Sequence, residues 1–559
     1  MTRTPADVFI GLDLGTSGLK GAALSSSGTV LATGGAAYPT HRPAAGACEQ
    51  APADWIAAVE TVLGQLRDAV PARRWRGIGL SAMIPTLVTV DACGEPTGPA
   101  ITWQDGRADA WGDELRETCG SDAVYRLTGQ WVDGRYLLPM FMRVASEEPG
   151  RAAATTRLLG AKDYLFRWLT GEYATDPSTA AGFGCYRLAD GGWDGAILSA
   201  AASLRRGPRR SLPSLSSLPP LPPLPPLPPL PTVPTVLASA TCRPLLSAVA
   251  SRLGCDPIPV CLGAADSVLG ALGLGVREPG QVAYIAGTSN VILGVADRLV
   301  TDPAHRFLVT PLAEPGRWGL EMDLLATGSA IRWLAGLVDA TAANASNASK
   351  AATAATAATA SNASNASNAS NGGSGEAELV ALAAGVDPRD APLVLPYLSP
   401  GEQGALWNPA LHGTIVGLHL GHGRAHLARG LVNGILLESR RCLAVLDETG
   451  DFGRSLEVAG GSGADASFRA DLADATGRRV GMPGDHDTDN SARGAALLAA
   501  RAITGRWPVP PAPDDTSRPT AEPDPGRAAA WDALWAEYEH ARQAITRHYD
   551  PARRCHPPG

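Results

Sequence analysis

Several features are missing from this 559-residue sequence, and each absence excludes a class of protein. No apolar run approaches the ~20 residues of a membrane-spanning helix, so we predict no membrane partner. The segment Met1 to Asp7 lacks the charged and apolar regions of a secretory signal, which favours a cytoplasmic location. The net charge of -8 argues against nucleic acid as the main partner, because binding it requires a basic face. Nine scattered cysteines without a Cys-x-x-Cys pair are typical of free thiols in a reducing compartment.

The composition is that of a globular protein, with 45% apolar and 18% charged residues. The length allows roughly two to four domains. Residues 211–236 contain a Leu-Pro-Pro repeat that favours polyproline II, as in a spacer or an exposed insertion. Residues 341–375 consist mainly of Ala, Asn, Ser and Thr. Such a segment cannot bury enough apolar surface to order itself, so we predict that it is disordered.

Residues 8–32 are predicted to form a β-hairpin that binds phosphate. Two apolar, β-forming runs flank the turn DLGTSG (13–18), whose glycines let backbone N–H groups approach a polyphosphate. Asp13 ends the first run and is predicted to hold Mg²⁺, since phosphoryl transfer needs the phosphate charge neutralised. The predicted phosphate contacts are Gly15, Thr16, Ser17 and Lys20. The alternative is an ordinary glycine-turn hairpin.

The same pattern returns in residues 281–292, QVAYIAGTSNVI, where a glycine turn again separates two apolar runs. Two phosphate hairpins imply two related domains facing one nucleotide. Neither is a Walker A loop, because no GK[ST] follows. A third glycine-rich turn, GGSGAD (460–465), would let adenine approach the backbone, although a lone turn is weak support. The predicted contacts in these two turns are Gly287, Thr288, Ser289, Gly460, Gly461, Ser462 and Asp465.

Two further segments carry candidate chemistry. In TWQDGR (102–107), Trp103 offers an aromatic wall, and Asp105 and Arg107 offer charged hydrogen-bonding groups, as in a polyol site. An Asp-Gly turn that opens a helix explains the same residues. Residues 258–276 are predicted to form a strand, a turn over 263–266 and a helix of small residues, and Asp266 is the one acid in this run. It would act as a general base or as a helix cap, and the nearby second hairpin favours the base.

Apolar residues at helical spacing predict helices over 53–70, 162–170 and 527–549, the last docked through its aromatic face. The three histidines His419, His422 and His426 have a spacing that can bind metal on a helix. Glycines interrupt this run, and no acid or thiol completes the set. A solvated loop that enters a helix is therefore the favoured interpretation.

Taken in order, these segments resemble the FGGY family of carbohydrate kinases in the actin-like ATPase superfamily, and most closely its xylulokinase branch. The resemblance covers most of the chain outside the two low-complexity segments. A DLGTS-like turn alone is shared with hexokinases, actin and heat-shock chaperones, but its conjunction with TWQDGR and the Asp266 segment is far more specific. The matching motifs are GLDLGTSGLK (11–20), AITWQDGRA (100–108), KDYLFRWLTGEYATDPSTAAG (162–182), GAADSVLGALGLG (263–275), AGTSNV (286–291), LPYLS (395–399) and GGSGAD (460–465).

The resemblance implies an α/β fold of two RNase H-like domains around an interdomain cleft, with ATP and Mg²⁺ between them and a sugar against the N-terminal domain. The predicted boundaries are 1–262 for the sugar-binding domain, 263–506 for the nucleotide-binding domain and 507–559 for a linker and terminal helix. The resemblance also implies that Asp266 deprotonates the sugar hydroxyl.

The substrate strand departs from the family pattern. Xylulokinases typically carry Gln-Met-His-Gly, whereas residues 82–85 of this chain read Ala-Met-Ile-Pro. Met83 and Ile84 are predicted substrate contacts, although Ile84 cannot supply the imidazole hydrogen bond. The run from Ser81 to Met83 leans toward gluconate kinases, which carry Ser-Ala-Met-His. The stretch 399–403 also holds an extra residue.

The sequence thus predicts an ATP-dependent kinase for the primary hydroxyl of a small sugar, with D-xylulose as the expected substrate and xylulose 5-phosphate as the product. The alternatives are a kinase for gluconate, ribulose or a polyol, and a sugar-binding regulatory pseudokinase. A chaperone-like or filament-forming nucleotide switch is disfavoured by the polyol segment and Asp266. The sequence leaves both a monomer and a homodimer open.

Overall fold

The computed structural model describes residues 7–204, 230–287, 289–337, 372–399, 411–482, 489–508 and 520–549. The chain divides into two units, each built from separate stretches. The first unit comprises 1–281, 293–321 and 484–517, and the second comprises 282–292, 322–483 and 518–559. Most of both low-complexity segments lies outside the described residues.

Strands and helices alternate along much of the chain. The strands are β1 (Val8–Leu14), β2 (Gly18–Ser25), β3 (Val30–Ala37), β4 (Glu49–Gln50), β5 (Trp75–Ala82), β6 (Thr86–Val90), β7 (Ala100–Thr102), β8 (Arg157–Gly160), β9 (Ala174–Thr175), β10 (Thr235–Val236), β11 (Cys242–Pro244), β12 (Pro259–Ala265), β13 (Val282–Ala286), β14 (Asn290–Ala296), β15 (Leu308–Pro311), β16 (Trp318–Leu324), β17 (Leu393–Leu395), β18 (Thr414–Val416), β19 (Ser455–Ala459), β20 (Arg479–Gly481) and β21 (Thr520–Ala521). The helices are α1 (Pro52–Ala69), α2 (Asp109–Cys119), α3 (Ser121–Thr128), α4 (Leu137–Glu147), α5 (Pro149–Ala154), α6 (Ala161–Thr170), α7 (Pro177–Ala181), α8 (Gly195–Leu204), α9 (Ser247–Leu253), α10 (Asp266–Gly273), α11 (328–337), α12 (Gly372–Ala384), α13 (Arg424–Thr449), α14 (Gly461–Ala464), α15 (Ala466–Thr476), α16 (Asn490–Thr504) and α17 (Pro525–Tyr549).

A six-stranded sheet forms the centre of the first unit, in the order β11-β12-β5-β1-β2-β3. β1, β5 and β12 are parallel, whereas β2 is antiparallel to both β1 and β3. Two glycines allow α16 to lie directly on this sheet. A Cβ at Gly11 would lie 1.8 Å from the carbonyl oxygen of Ala492, and one at Gly79 would lie 2.0 Å from that of Ala495. Glycine is therefore required on both strands for this helix to approach.

Three predicted helices are confirmed. α1 buries Trp55 and the apolar face that the spacing indicated. α6 ends at Gly171, whose left-handed conformation (φ 82°) closes the helix in the way glycine favours. α17 is docked, since the side chains of Trp531 and Tyr538 are buried. Among the described helices, none combines the length and the hydropathy that crossing a membrane requires.

Three predictions of local structure are corrected. β12 continues to Ala265, so residues 263–266 do not form a turn; the positive φ of Gly263 instead accommodates a shift in strand register. Within the predicted insertion 211–236, the N–H of Thr232 donates to the carbonyl of Thr156 (2.9 Å), and β10 pairs with β9. The end of that segment therefore belongs to the fold. α12 begins at Gly372, so the last residues of the predicted disordered segment are helical.

Candidate functional site

Polar residues gather where β1, β5 and β12 end in the first unit. Asp13 is the register partner of Ser81, and Ser81 is in turn the partner of Ala264. Asp266 follows immediately after the last residue of β12. Because these strands are parallel and adjacent, their carboxyl ends share one edge of the sheet. The topology therefore brings Asp13, Ser81 and Asp266 to the same edge.

Asp13 is a buried carboxylate whose surroundings disfavour its ionised form. It is 6% exposed, and its Oδ1 accepts a 2.6 Å hydrogen bond from the hydroxyl of Ser81. Burial, with the negative charge of Asp489, raises the pKa of Asp13 to about 7, while Ser81 and Lys20 oppose this rise. A cation bound here in addition to Lys20 would be stabilised by the carboxylates of Asp13 and Asp489.

Asp489 lies beside these groups, although no sequence motif pointed to it. This residue caps α16, because its carboxylate accepts the N–H of Ala492 (2.9 Å). It also lies 2.9 Å from the Nζ of Lys20, and this proximity raises the lysine pKa. The predicted phosphate-binding lysine is thus paired with an acid. One sequence feature could have indicated Asp489: it directly precedes a helix of small residues. Such a helix can pack closely against the glycines of β1 and β5.

The first glycine turn is confirmed as a hairpin. The N–H of Gly15 donates to the carbonyl of Gly18 (3.1 Å), and all of β1 pairs with residues 19–25 of β2. Side chains from other segments hold the turn: Gln50 Nε2 donates to the carbonyl of Thr16 (2.7 Å), and the indole N–H of Trp103 donates to the Thr16 hydroxyl (3.3 Å). Ser17 and Lys20 are exposed at its surface. The turn is therefore linked directly to the predicted polyol segment.

Within that polyol segment, Asp105 and Arg107 bind each other. Asp105 is 1% exposed, and its Oδ2 accepts the N–H of Cys48 (2.8 Å) and an N–H of Arg107 (2.6 Å). The same guanidinium donates to Glu49 (2.6 Å). Burial opposes the charge of Arg107, but the hydrogen bonds to the two acids raise its pKa. The described structure therefore gives Asp105 an internal partner, whereas the side chain of Trp103 is partly exposed.

Asp266 is the first residue of α10 and not its cap. Ala265 occupies the cap position, with no side-chain hydrogen bond, so the capping interpretation is wrong. Oδ1 of Asp266 accepts the N–H of the adjacent Ser267 (2.9 Å). The preceding backbone is anchored, since the N–H of Ala265 donates to the hydroxyl of Ser178 (2.9 Å), which donates to Asp176 (2.5 Å).

The anchor rests on a buried ionic group. Lys162 Nζ lies 3.1 Å from Asp176 and 3.2 Å from Asp163, and all three side chains are fully buried. Breaking such a group would leave an unpaired buried charge, which is strongly destabilising. The KDY and TDPS parts of the chain therefore fix the backbone that carries Asp266.

The two predicted substrate contacts after β5 differ in exposure. Met83 is 1% exposed, and its N–H donates to the carbonyl of Leu14 (2.9 Å). Ile84 is half-buried and packs against a buried apolar cluster that contains Ala265 and Val268. Ile84 is therefore the member of this pair that reaches the surface.

The second unit brings its two glycine turns together. β13 and β19 are parallel neighbours, with Ile285 opposite Ala459, so the turns that follow them are adjacent. The N–H of Gly287 donates to the carbonyl of Ser289 (2.9 Å), whereas Thr288 lies outside the described residues. Gly460 has φ 91°, and a Cβ there would lie 1.9 Å from the carbonyl oxygen of Ala286. Packing alone therefore requires this glycine.

The residues after Gly460 correct the predicted open turn. Residues 461–464 form the short helix α14, in which Gly461 has no neighbouring atom within 4 Å of an added Cβ. Asp465 caps α15 by accepting the N–H of Phe468 (2.8 Å). Gly461 is thus the open position of this segment.

The histidine-rich segment is confirmed as an exposed loop that enters α13. Nδ1 of His419 accepts the N–H of Gly421 (3.0 Å), and Nδ1 of His426 accepts that of Gly423 (3.2 Å). Among the residues that the structure describes, no group of three histidine, cysteine or acidic side chains is arranged to hold a metal ion.

Comparison with known proteins supports this description. The N-terminal domain model of the FGGY family of carbohydrate kinases matches residues 8–218, and the C-terminal domain model matches residues 282–503. A gluconokinase of Bacillus subtilis is 26% identical over 501 residues, covering 89% of this chain and 88% of its own. A xylulose kinase of Escherichia coli is 27% identical over 495 residues, covering 88% and 89%.

A solved structure gives the same fold. The xylulose kinase from Rhodospirillum rubrum superimposes with a TM-score of 0.75 at 26% identity, covering 97% of this chain and 99% of that one. The fold is thus that of sugar kinases with the actin-like ATPase architecture. With both domain models matched in order, the chain belongs to the FGGY family of carbohydrate kinases.

Proposed function

We propose that this protein transfers the γ-phosphoryl group of ATP to the primary hydroxyl of a small sugar. The observation that carries the proposal is the single sheet edge that holds Asp13, Ser81 and Asp266. Phosphoryl transfer requires a cation-binding carboxylate near the phosphates and a base near the acceptor hydroxyl. This edge supplies one carboxylate for each task.

The residues act by position and charge. Asp266 accepts the hydroxyl proton as the sugar oxygen forms its bond to the γ-phosphorus and the bond from that phosphorus to the leaving ADP oxygen breaks. Backbone N–H groups of the turn 15–18 bind phosphate oxygens, because the glycines of this turn have no Cβ to obstruct the approach of a phosphate. In the second unit, the turns 287–289 and 460–462 are the proposed nucleotide contacts.

Asp13 and Asp489 fit a hydrated Mg²⁺. Burial of Asp13 and the negative charge of Asp489 raise the pKa of Asp13, and the positive charge of a divalent cation would oppose this rise. Mg²⁺ characteristically takes one or two carboxylates, water and phosphate oxygens, so two acids suffice. The bound ion would neutralise charge on the transferring phosphoryl group.

D-xylulose is the proposed substrate, and gluconate is the second candidate. Xylulose kinases stand among the relatives in sequence and fold. The gluconate alternative is favoured by the run Ser81-Ala82-Met83 and by gluconokinases of comparable identity. Ile84 is the residue whose side chain separates this chain from both patterns.

A substrate screen tests the proposal. The purified full chain would receive MgATP with D-xylulose, D-ribulose, D-gluconate, glycerol or xylitol, and ADP release and phosphorylated product would be measured. We expect product from one acceptor, with ADP formed in equal amount. ADP release without any phosphorylated acceptor, or no ADP release in any mixture, would overturn the proposal and favour a regulatory pseudokinase.

A further inference from the structure

Two cysteines are direct partners at the edge of the six-stranded sheet. Cys242 on β11 lies opposite Cys261 on β12 in an antiparallel pair. The adjacent N–H of Leu262 donates to the carbonyl of Thr241 (2.8 Å), which marks that neighbouring pair as hydrogen-bonded. Because the two kinds of position alternate, the cysteine pair is non-hydrogen-bonded, with Cα atoms ~4.5 Å apart and side chains at their closest. This separation lies within the range that a disulfide spans, about 4.4–6.8 Å.

The sulfur atoms lie against consecutive residues of one turn. Cys242 Sγ is 3.6 Å from the carbonyl oxygen of Ala240, and Cys261 Sγ is 3.3 Å from that of Ser239. Both thiols are free, but only Cys242 is partly exposed, whereas Cys261 is fully buried. A dissolved oxidant therefore reaches Cys242 first.

The local charges assign different roles to the two thiols. A hydrogen bond from Cys261, assisted by the positive charge of Arg243, lowers the pKa of Cys242. The same hydrogen bond and burial raise the pKa of Cys261. Since the thiolate is the reactive form, Cys242 is the nucleophile and Cys261 is placed to resolve its oxidised product.

We propose that Cys242 and Cys261 form an oxidisable dithiol that closes reversibly to a disulfide under hydroperoxide. The Cys242 thiolate attacks one peroxide oxygen, so that an S–O bond forms, the O–O bond breaks and hydroxide leaves. The Cys261 sulfur then attacks Cys242, forming the S–S bond and expelling the oxygen as water with the Cys261 proton. The hydroxide takes up the proton that Cys242 lost on ionisation, so the two thiols together lose two electrons and hydrogen peroxide is reduced to two waters.

The position of the pair gives the bond a structural consequence. β12 ends at Ala265, directly before Asp266, so a disulfide at Cys261 would tether the strand that presents this carboxylate to the sheet edge. Cellular thiol reductants reopen exposed or strained disulfides, which are the labile ones. Because Cys242 is partly exposed, a thiol reductant can reach the bond from the side of this cysteine.

Peptide mapping tests the proposal without using enzymatic activity. The reduced full chain would be treated with hydrogen peroxide, blocked with N-ethylmaleimide and digested with trypsin and Asp-N without reduction. This digestion separates the three cysteines of the region into peptides 211–252, 253–255 and 256–265. We expect 211–252 linked to 256–265, lighter than their sum by two hydrogens, and separated again by dithiothreitol.

Two variants sharpen the test. Cys242→Ser should abolish the link and leave Cys261 unmodified, because Cys261 is buried. Cys255→Ser is the matched control, since Cys255 is also partly exposed and lies in the same region, and it should leave the link intact. Three results of the peroxide treatment would overturn the proposal. Cys242 could stay unoxidised, it could become sulfinic acid without any link, or the link could form with peptide 253–255 instead.

Discussion

The hydroxyl of Ser81 donates a 2.6 Å hydrogen bond to Oδ1 of Asp13, and the two residues are also register partners on parallel strands. This bond favours the ionised carboxylate, whereas burial and the charge of Asp489 favour the protonated one. Their balance sets the pKa of Asp13 at about 7. The charge of the proposed metal-binding group therefore changes in the neutral pH range. Ser81 lowers the pKa of Asp13, and Asp489 raises it.

Ser81→Ala should raise the pKa of Asp13 further. Loss of the hydrogen bond removes stabilisation from the carboxylate only, and bonds to charged groups are worth about one pKa unit or more. Because Asp13 must be ionised to hold Mg²⁺, the acid limb of kcat/KM for ATP should move to higher pH by about one unit. A pH profile at saturating sugar measures this shift. An unchanged or lowered limb would contradict the assignment of Asp13.

Asp489→Asn should shift the same limb in the opposite direction. Removing the nearby negative charge lowers the pKa of Asp13, so the carboxylate stays ionised to lower pH. Asparagine caps helices about as well as aspartate, so α16 should keep its start and the melting temperature should hold. The profile is recorded at saturating Mg²⁺, since the substitution also removes a proposed ligand. Movement of the limb to higher pH would refute the proximity argument.

Local patterns predicted the local structure well. The first hairpin and α1 follow from short-range periodicity and turn chemistry, which the sequence displays directly. Asp489 could not be found in this way, because its partner Lys20 lies 469 positions away. Glycines inside apolar strands, such as Gly11 and Gly79, permit a close backbone approach, but the sequence does not show which segment approaches them.

The polyol segment shows a second limit. Asp105 and Arg107 have the right chemistry to bind a polyol, yet the same groups satisfy each other, with Glu49 as a further partner. Residue type and spacing are identical for a ligand site and an internal ion pair. Only the distances between side chains distinguish them. Gly460 makes the same point, since packing against Ala286 requires it independently of any nucleotide.

Gly460→Ala should destabilise the protein, whereas the neighbouring Gly461→Ala should not. An alanine at 460 would adopt a conformation that costs of order 1–3 kcal/mol for non-glycine residues, and its Cβ would meet the carbonyl oxygen of Ala286 at 1.9 Å. At 461 the space is open. Thermal unfolding without nucleotide measures both effects. Equal melting temperatures for the two variants would show that Gly460 is not held by packing.

Ile84→His should improve the use of D-xylulose if the remaining pocket suits a pentulose. The substitution restores a hydrogen-bond donor at a half-buried position beside the end of β5. We expect a lower KM for D-xylulose, and Ile84→Leu serves as the apolar control. If xylulose remains unused while gluconate or another sugar is phosphorylated, the xylulokinase-like assignment is wrong and the gluconate alternative gains support.

Asp266→Asn tests the proposed base most directly. The substitution keeps the shape of the side chain and the oxygen that accepts the N–H of Ser267, but it removes the negative charge that lets the carboxylate accept a proton. A positioned base contributes about 10²–10⁴ in rate, so kcat should fall by about that factor. Affinity for MgATP, assigned to Asp13 and the glycine turns, should barely change. Steady-state kinetics, nucleotide titration and thermal unfolding separate these quantities.

The control for this substitution is Asp256→Asn, which makes the same chemical change at an exposed aspartate shortly before β12. Its kcat should equal that of the unchanged protein, which shows that loss of one negative charge in this region is not itself harmful. Since Asp266 does not cap α10, a stability effect of Asp266→Asn cannot arise from a lost cap. Near-normal turnover by Asp266→Asn would remove the residue from proton transfer. A large loss of kcat at an unchanged melting temperature would support proton acceptance as its role, because asparagine keeps the oxygen that accepts the N–H of Ser267.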